Sequence, residues 1–462
     1  MPASLLLALL CGCGGPEPAT SPPPIVAPLL QPEPAQRPHN LLIIVADDLG
    51  TDKVGAYGEH PTPPLTPHLD QLAASGILFR NAYAYPTGSA SRAALLTGRY
   101  GRRTGMGGLV ELDRSTYELP LAEVLLPEVL GRSTEHTWST AALGKWHLSS
   151  RRSEHALVHP NLQGFDHYAG SLGNLRSPGA TGDPDDGFEK VIDGHPGHTT
   201  AYPTRDTTDD AIGQLELLEP PWLLYVAYNA PRSPLQPPPD ELRSQNIPDP
   251  PPREIERFNA TVEALDREIG RLLGAMTPEQ RRTTTVIFLA DNGTDRSVIL
   301  PPREPEHGKA SLYEGGTNVP LIVSGPQVQP GAEAWALVHV VDVLPTVAQL
   351  AGVDVSDLVL DGVSFAPLLS DPSQDGPRHT VFTERFGPPG GGPYDIDQIA
   401  LRNERYKIMQ ARRGGWWLFD LQGRFVDGEP HPASALEGEE RAQYEVLRSD
   451  LDTLMDTLSF AH

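Results

Sequence analysis

The sequence predicts an α/β fold: a large, mostly parallel sheet flanked by helices, followed by a small C-terminal α+β subdomain. Three observations predict it. Leu41-Leu42-Ile43-Ile44-Val45-Ala46 is an unbroken apolar run, the mark of a strand buried on both faces. Comparable short runs recur at 139–143, 222–228, 284–290 and 319–323, with helical patterns between them. From about residue 376 the pattern changes to short strands separated by Gly and Pro turns.

Taken in order, residues 1–13 are a short apolar segment ending in small residues. Such a segment reads as a secretion signal and is too short to span a bilayer. Leu10-Cys11-Gly12-Cys13 resembles a bacterial lipoprotein box, with Cys13 as the lipidated residue. This predicts an exported protein, in a bacterial periplasm or on a cell surface, that meets the membrane only through that anchor. Residues 14–38 are rich in Pro, Ala, Glu and Gln, an extended linker. The main α/β domain is expected over 39–375 and the small subdomain over 376–462.

After the first strand, Thr66-Pro67 opens a helix that runs through Ala74 and closes at Gly76. Residues 253–276 carry apolar residues at helical spacing. A final amphipathic helix is expected over 438–458. The Pro- and Gly-rich stretches 231–252 and 386–393 read as surface loops.

The formal charge is −24, which argues against a nucleic-acid partner or a general affinity for anionic membranes. Both cysteines, Cys11 and Cys13, lie in the N-terminal segment. The folded part therefore has neither a disulfide nor a thiol nucleophile. Lysine occurs only at 53, 145, 190, 309 and 407, so a lysine inside a motif is informative.

Asp47-Asp48 follows the first strand and Asp291-Asn292 follows the run 284–290. Ligands of open α/β sheets sit at the carboxyl ends of strands. Three carboxylates and an amide oxygen suit a hard cation, Ca²⁺ or Mg²⁺, rather than zinc. The alternative for each pair is a helix cap or a turn. In Gly144-Lys145-Trp146-His147-Leu148, Lys145 and His147 lie two apart, which on an extended segment points both side chains one way. Lys309 sits in His307-Gly308-Lys309-Ala310-Ser311-Leu312-Tyr313-Glu314-Gly315-Gly316. The alternatives are solvated lysines and a structural histidine.

These motifs, in this order, together with Val341-Asp342-Val343-Leu344-Pro345-Thr346 and Asp361-Gly362-Val363-Ser364, resemble the sulfatase family from about Asn40 to Asp420. The resemblance implies an alkaline-phosphatase-like core. It implies Ca²⁺ held by Asp47, Asp48, Asp291 and Asn292, with Mg²⁺ less favoured. Arg92 would orient the nucleophile, and Lys145, His147 and Lys309 would contact the sulfate. The ligand would be a sulfated or otherwise anionic small molecule or glycan.

Two departures bear on turnover. The family signature runs Cys or Ser, one residue, Pro or Ala, Ser, Arg, and its first residue matures to formylglycine, the nucleophile. Here the stretch is Gly88-Ser89-Ala90-Ser91-Arg92, so Gly88 stands four residues before Arg92 and no formylglycine is expected. Second, Ala230-Pro231-Arg232-Ser233-Pro234 has Arg232 where the family usually has His. Arg232 can bind an oxyanion but cannot give up a proton near neutral pH. Loss of turnover with retention of the anion site is the leading expectation. The alternatives are an ester hydrolase using Thr87, Ser89 or metal-bound water, and a non-catalytic surface scaffold. Substrate choice is expected in the loops 149–205 and 386–393.

Overall fold

The computed structural model describes residues 39–176, 187–244, 253–411, 414–422 and 426–458. The proposed lipidation residue Cys13, the segment 1–13 and the linker 14–38 lie outside them. No helix among the described residues is long and apolar enough to cross a membrane.

A ten-stranded sheet forms the centre of the molecule. Its middle holds Thr284–Ala290, Asn40–Asp47, Trp222–Pro231, Ser139–Gly144 and His167–Gly170, all parallel to one another. Every residue of Asn40–Asp47 and Thr284–Ala290 is buried. That is why both segments read as unbroken apolar runs rather than alternating ones. The predicted strand at 319–323 is observed as Leu321–Ser324 and runs antiparallel to Thr284–Ala290.

Helices cover the sheet. In Glu254–Ala275, Phe258, Val262, Leu265, Ile269 and Leu272 are buried, the four-three spacing of one helix face. The helix Pro67–Ala74 forms as expected, but Thr66 does not cap it. The Thr66 hydroxyl donates to Asp70 Oδ1 (3.1 Å) instead. Asp266, on the neighbouring helix, accepts from the N–H groups of His68 (3.1 Å) and Leu69 (2.8 Å). A cap supplied from a distant residue leaves no local sequence signal. Gly76 is needed for close approach, since a Cβ there would lie 2.1 Å from the Val323 carbonyl oxygen.

Three loop expectations need correction. The stretch 149–205 contains the strands His167–Gly170, Phe188–Ile192 and His195–Thr199. The last two form a hairpin at the sheet edge, where almost every residue is half-buried or exposed and the apolar signal fades. The loop expected from 386 begins later, because Val381–Gly387 is a strand. The stretch 231–252 begins inside the strand ending at Pro231, and its residues 245–252 lie outside the described residues. A five-stranded antiparallel sheet starts at Val381, and the helix Gly438–Thr457 packs against it.

Candidate active site

Parallel pairing places Ala46 beside Ala290, so the residues after both strands emerge at one end of the sheet. There the Asp48 N–H donates to Asp291 Oδ1 (3.1 Å), and Asn292 Nδ2 donates to Asp48 Oδ1 (2.9 Å). Oxygens of Asp47, Asp48 and Asp291 all lie within 4.8 Å of one another, and all three residues are buried. Asp47 Oδ1 and Asn292 Oδ1 are buried without a hydrogen-bond partner. Unpartnered buried oxygens are costly unless something positive completes them. This donor set, hard oxygens with two left free, fits a divalent cation of the Ca²⁺ or Mg²⁺ type.

Four basic side chains close on the cluster. Lys145 Nζ pairs with Asp47, and Lys309 Nζ pairs with both oxygens of Asp48, one at 2.5 Å. Arg92 is fully buried and donates from Nε (3.0 Å) to Asp291 Oδ2, while its NH1 donates to the Lys145 carbonyl (3.0 Å). Burial opposes the charge of Arg92, but Asp291 beside it holds the guanidinium proton more firmly than usual. Arg232 Nε lies 3.9 Å from Asp48 Oδ2. Lys309 and Arg232 keep 17% and 18% side-chain exposure, whereas Lys145 and Arg92 keep 1% and 0%, so solvent reaches the site from the Lys309–Arg232 side.

His147 joins them, although not by the route the spacing suggested. Its segment is not extended: Gly144 has φ +83° and His147 φ +63°. The turn sends Lys145 to Asp47 while the His147 ring meets the Val110 carbonyl through Nε2 (3.2 Å). A carbonyl only accepts, so Nε2 carries the proton and the buried, unpartnered Nδ1 holds a lone pair. Burial, then the charges of Lys145, Arg92, Arg232 and Lys309, keep this imidazole well below its usual pKa and therefore neutral.

Gly88 is the first residue of the helix Gly88–Thr97. A Cβ there would lie 2.5 Å from Asp291 Oδ2 and 3.7 Å from Asn292 Oδ1. The bare backbone of Gly88 thus faces the acidic cluster. Its neighbours differ from each other. Ser89 Oγ accepts from the Val110 N–H (3.1 Å), a structural role. Thr87 Oγ1 is buried and has no partner.

The structure adds backbone strain at the site and contacts from residues that the sequence did not single out. Asp48 (φ +69°), His147 and Ala310 (φ +62°) are three of the five non-glycine residues with positive φ among those described. Such conformations cost energy and gather where surrounding structure enforces them. The backbone of Ser171 and Leu172 accepts from the N–H groups of Trp146 (3.0 Å) and His147 (2.9 Å). Gly173 lies against the His147 ring, since a Cβ there would be 3.4 Å from Cδ2. These residues follow the strand His167–Gly170 in a stretch that reads as loop, and no residue type marks them.

Comparison with known proteins agrees with this architecture. The Sulfatase family profile matches residues 39–353, and a profile described as N-sulphoglucosamine sulphohydrolase, C-terminal, matches 306–456. Human arylsulfatase A is 32% identical over 447 residues, covering 89% of this chain and 79% of the human protein. Mouse steryl-sulfatase is 30% identical over 439 residues, covering 76% and 68%. The crystal structure of Ps i-CgsB in complex with k-i-k-neocarrahexaose superposes with a TM-score of 0.75 at 28% identity, covering 91% of this chain and 92% of that one. The chain belongs to the sulfatase family.

Proposed function

We propose that this protein binds a divalent cation and a sulfated glycan at the site around Asp48, with ester turnover lost or impaired. The observation that carries this reading is Gly88. It faces the acidic cluster with no side chain, at the position where the family signature places its nucleophile. No formylglycine can form from glycine, and a covalent step through this residue is removed.

Asp47, Asp48, Asp291 and Asn292 would hold the cation. Ca²⁺ suits a set of oxygens supplied by the protein, whereas Mg²⁺ prefers to keep several waters. Bound there, the cation would offer positive charge to a sulfate oxygen. The chain supplies the rest of the anion site. Lys145 and Lys309 are compact charges, and Arg92 and Arg232 are planar donors. Arg232 retains charge at the place of the usual family His but cannot act as a proton donor near neutral pH. His147, neutral with its buried Nδ1 unpartnered, must take up a proton before Nδ1 can donate to an anion.

Two observations support a glycan as the ligand. Ps i-CgsB, similar over nearly the whole chain, holds a neocarrahexaose. A cavity of about 260 Å³ adjoins His147 across Gly173, lined among others by Arg151, Ser171, Asn174, Phe188 and Glu189. Planar polar groups beside a ring suit hydroxyl-bearing sugars. Calorimetric titration of Ca²⁺ and then of a sulfated oligosaccharide tests the reading. Glycan binding that requires the cation is expected, and a folded protein that binds neither ligand would refute it. The reading includes export and a lipid on Cys13, tested by metabolic fatty-acid labelling that Cys13→Ala abolishes.

A second reading has its own observation. Thr87 Oγ1 is buried beside Gly88 without a partner, so a hydroxyl is free in the neighbourhood of the site. An ester hydrolase using Thr87 would lose turnover in Thr87→Val, a change of nearly equal volume.

A further inference from the structure

Lys309 lies on no regular element. It sits between the 3₁₀ turn Pro305–His307 and the short helix Glu314–Thr317. The next residue, Ala310, has φ +62°, a conformation that costs a non-glycine residue about 1 kcal/mol or more. Within the turn the Ser311 hydroxyl donates to the Gly308 carbonyl (2.7 Å), and the bonds to Lys309 and Ala310 come from outside it.

Every backbone polar group of Lys309 and Ala310 is taken by a residue remote in sequence. Lys309 N–H donates to the Thr294 carbonyl (2.9 Å), and Ala310 N–H donates to the Pro86 carbonyl (2.9 Å). The two carbonyls are gripped by arginines. Arg296 donates from Nε to Lys309 O (2.8 Å) and from NH2 to Ala310 O (3.0 Å). Arg385 donates from NH1 to the same Ala310 O (2.7 Å). Arg296 comes from the segment that begins at Asp291, and Pro86 lies two residues before Gly88. Arg385 comes from the strand Val381–Gly387 of the second sheet.

We infer that Arg296 and Arg385 are positioning residues for Lys309, and that through Arg385 the C-terminal sheet sets the anion affinity of the site. The part concerning affinity rests on the reading that Lys309 meets the ligand. The two clamps differ in a way that can be tested. Arg385 makes one bond to this turn, which a lysine can reproduce. Arg296 spans two successive carbonyls with a planar fork, which a single ammonium cannot.

Two measurements on the whole protein test this. The first is the rate of acetylation at Lys309, read by peptide mass spectrometry in chelator, with Lys190 as internal reference. In the wild type, Lys309 Nζ is occupied by both Asp48 oxygens and reacts slowly. Arg385→Met and Arg296→Lys are expected to raise the rate severalfold, while Arg385→Lys stays near wild type. The second is binding of inorganic sulfate with Ca²⁺ present. Arg385→Met should weaken it about tenfold, the worth of one well-placed charge-assisted hydrogen bond. In Lys309→Met the same change at Arg385 should add almost nothing, because it acts through the lysine.

Unchanged Lys309 reactivity in folded Arg385→Met and Arg296→Lys overturns the positioning role. So does a sulfate effect of Arg385→Met that adds in full to that of Lys309→Met. Raised reactivity with unchanged sulfate affinity keeps the clamp and instead refutes Lys309 as an anion ligand. Thermal melting of each variant shows which samples are folded.

Discussion

Arg92 and Asp291 form a buried ion pair in which both Nε and NH2 of the arginine lie within 3.0 Å of a single oxygen, Asp291 Oδ2. That same oxygen is the atom nearest to where a Gly88 Cβ would be. The missing side chain and the ion pair therefore share one space. The carboxylate leans into room that any residue larger than glycine would claim.

Gly88→Ala is accordingly not a neutral change. The added methyl would force the Asp291 carboxylate aside and disturb its pair with Arg92. A loss of about 1–3 kcal/mol is expected, as for overpacking of a filled interior. Weaker Ca²⁺ binding should accompany it. Urea unfolding and calorimetric titration check both, and an unaltered variant would mean that the pocket yields freely.

Asp291→Ala leaves the Arg92 guanidinium buried with its main partner gone. Stranding one member of a buried pair costs about 3–5 kcal/mol. Replacing both, as in Arg92→Met/Asp291→Leu, should recover most of that loss in metal-free protein while cation binding stays absent. Equilibrium unfolding of the single and double variants separates the ion pair from the metal site.

A second buried network ties the five-stranded sheet to Tyr83 and to the short helix Glu314–Thr317. Glu314 accepts from Arg402 NH1 (2.8 Å), Lys407 Nζ (3.2 Å) and Tyr83 OH (2.9 Å), and all four residues are buried. Glu314→Ala should therefore cost about 3–5 kcal/mol, since two cations lose their shared carboxylate. Denaturant unfolding measures it, and a loss below 1 kcal/mol, the scale of an exposed pair, would contradict the network's role.

His155 supplies a pH-dependent term. Its Nδ1–H donates to Glu118 Oε1 (2.6 Å), and this hydrogen bond raises the imidazole pKa above its usual 6.5. A raised pKa means that the folded state holds the proton more tightly. The contribution is full below the unfolded pKa and is lost as pH rises through the folded one. The drop in Tm caused by His155→Asn should thus be larger near about pH 5 than near about pH 9. An equal drop at both would remove the pair from the account.

The parts of this molecule that were legible in its sequence are those written in local pattern. Asn40–Asp47 and Thr284–Ala290 announce themselves because strands covered on both faces carry an unbroken apolar run between their polar ends. Asp47, Asp48, Asp291, Asn292, Lys145, His147 and Lys309 follow strand ends or glycines, so motif and topology agree. What escaped is what geometry alone decides. Arg385 reads as an ordinary strand residue, and only the packing of the C-terminal sheet against the Lys309 turn brings it to Ala310. Asp266 reads as an exposed helical acid until a second helix places its first turn there. The bend at Gly144 and His147 replaced an expected straight segment, because a positive φ at a histidine leaves no compositional trace.

The site around Gly88 keeps its charged side chains, and the proposed loss or impairment of turnover can be tested on it directly. The most direct test is hydrolysis of a chromogenic aryl sulfate by the purified protein with excess Ca²⁺, beside an Arg92→Ala/Asp291→Ala control. No release above the control is expected from a folded, cation-binding sample. Release that the double substitution abolishes would contradict the proposed loss, and would establish a working nucleophile other than residue 88.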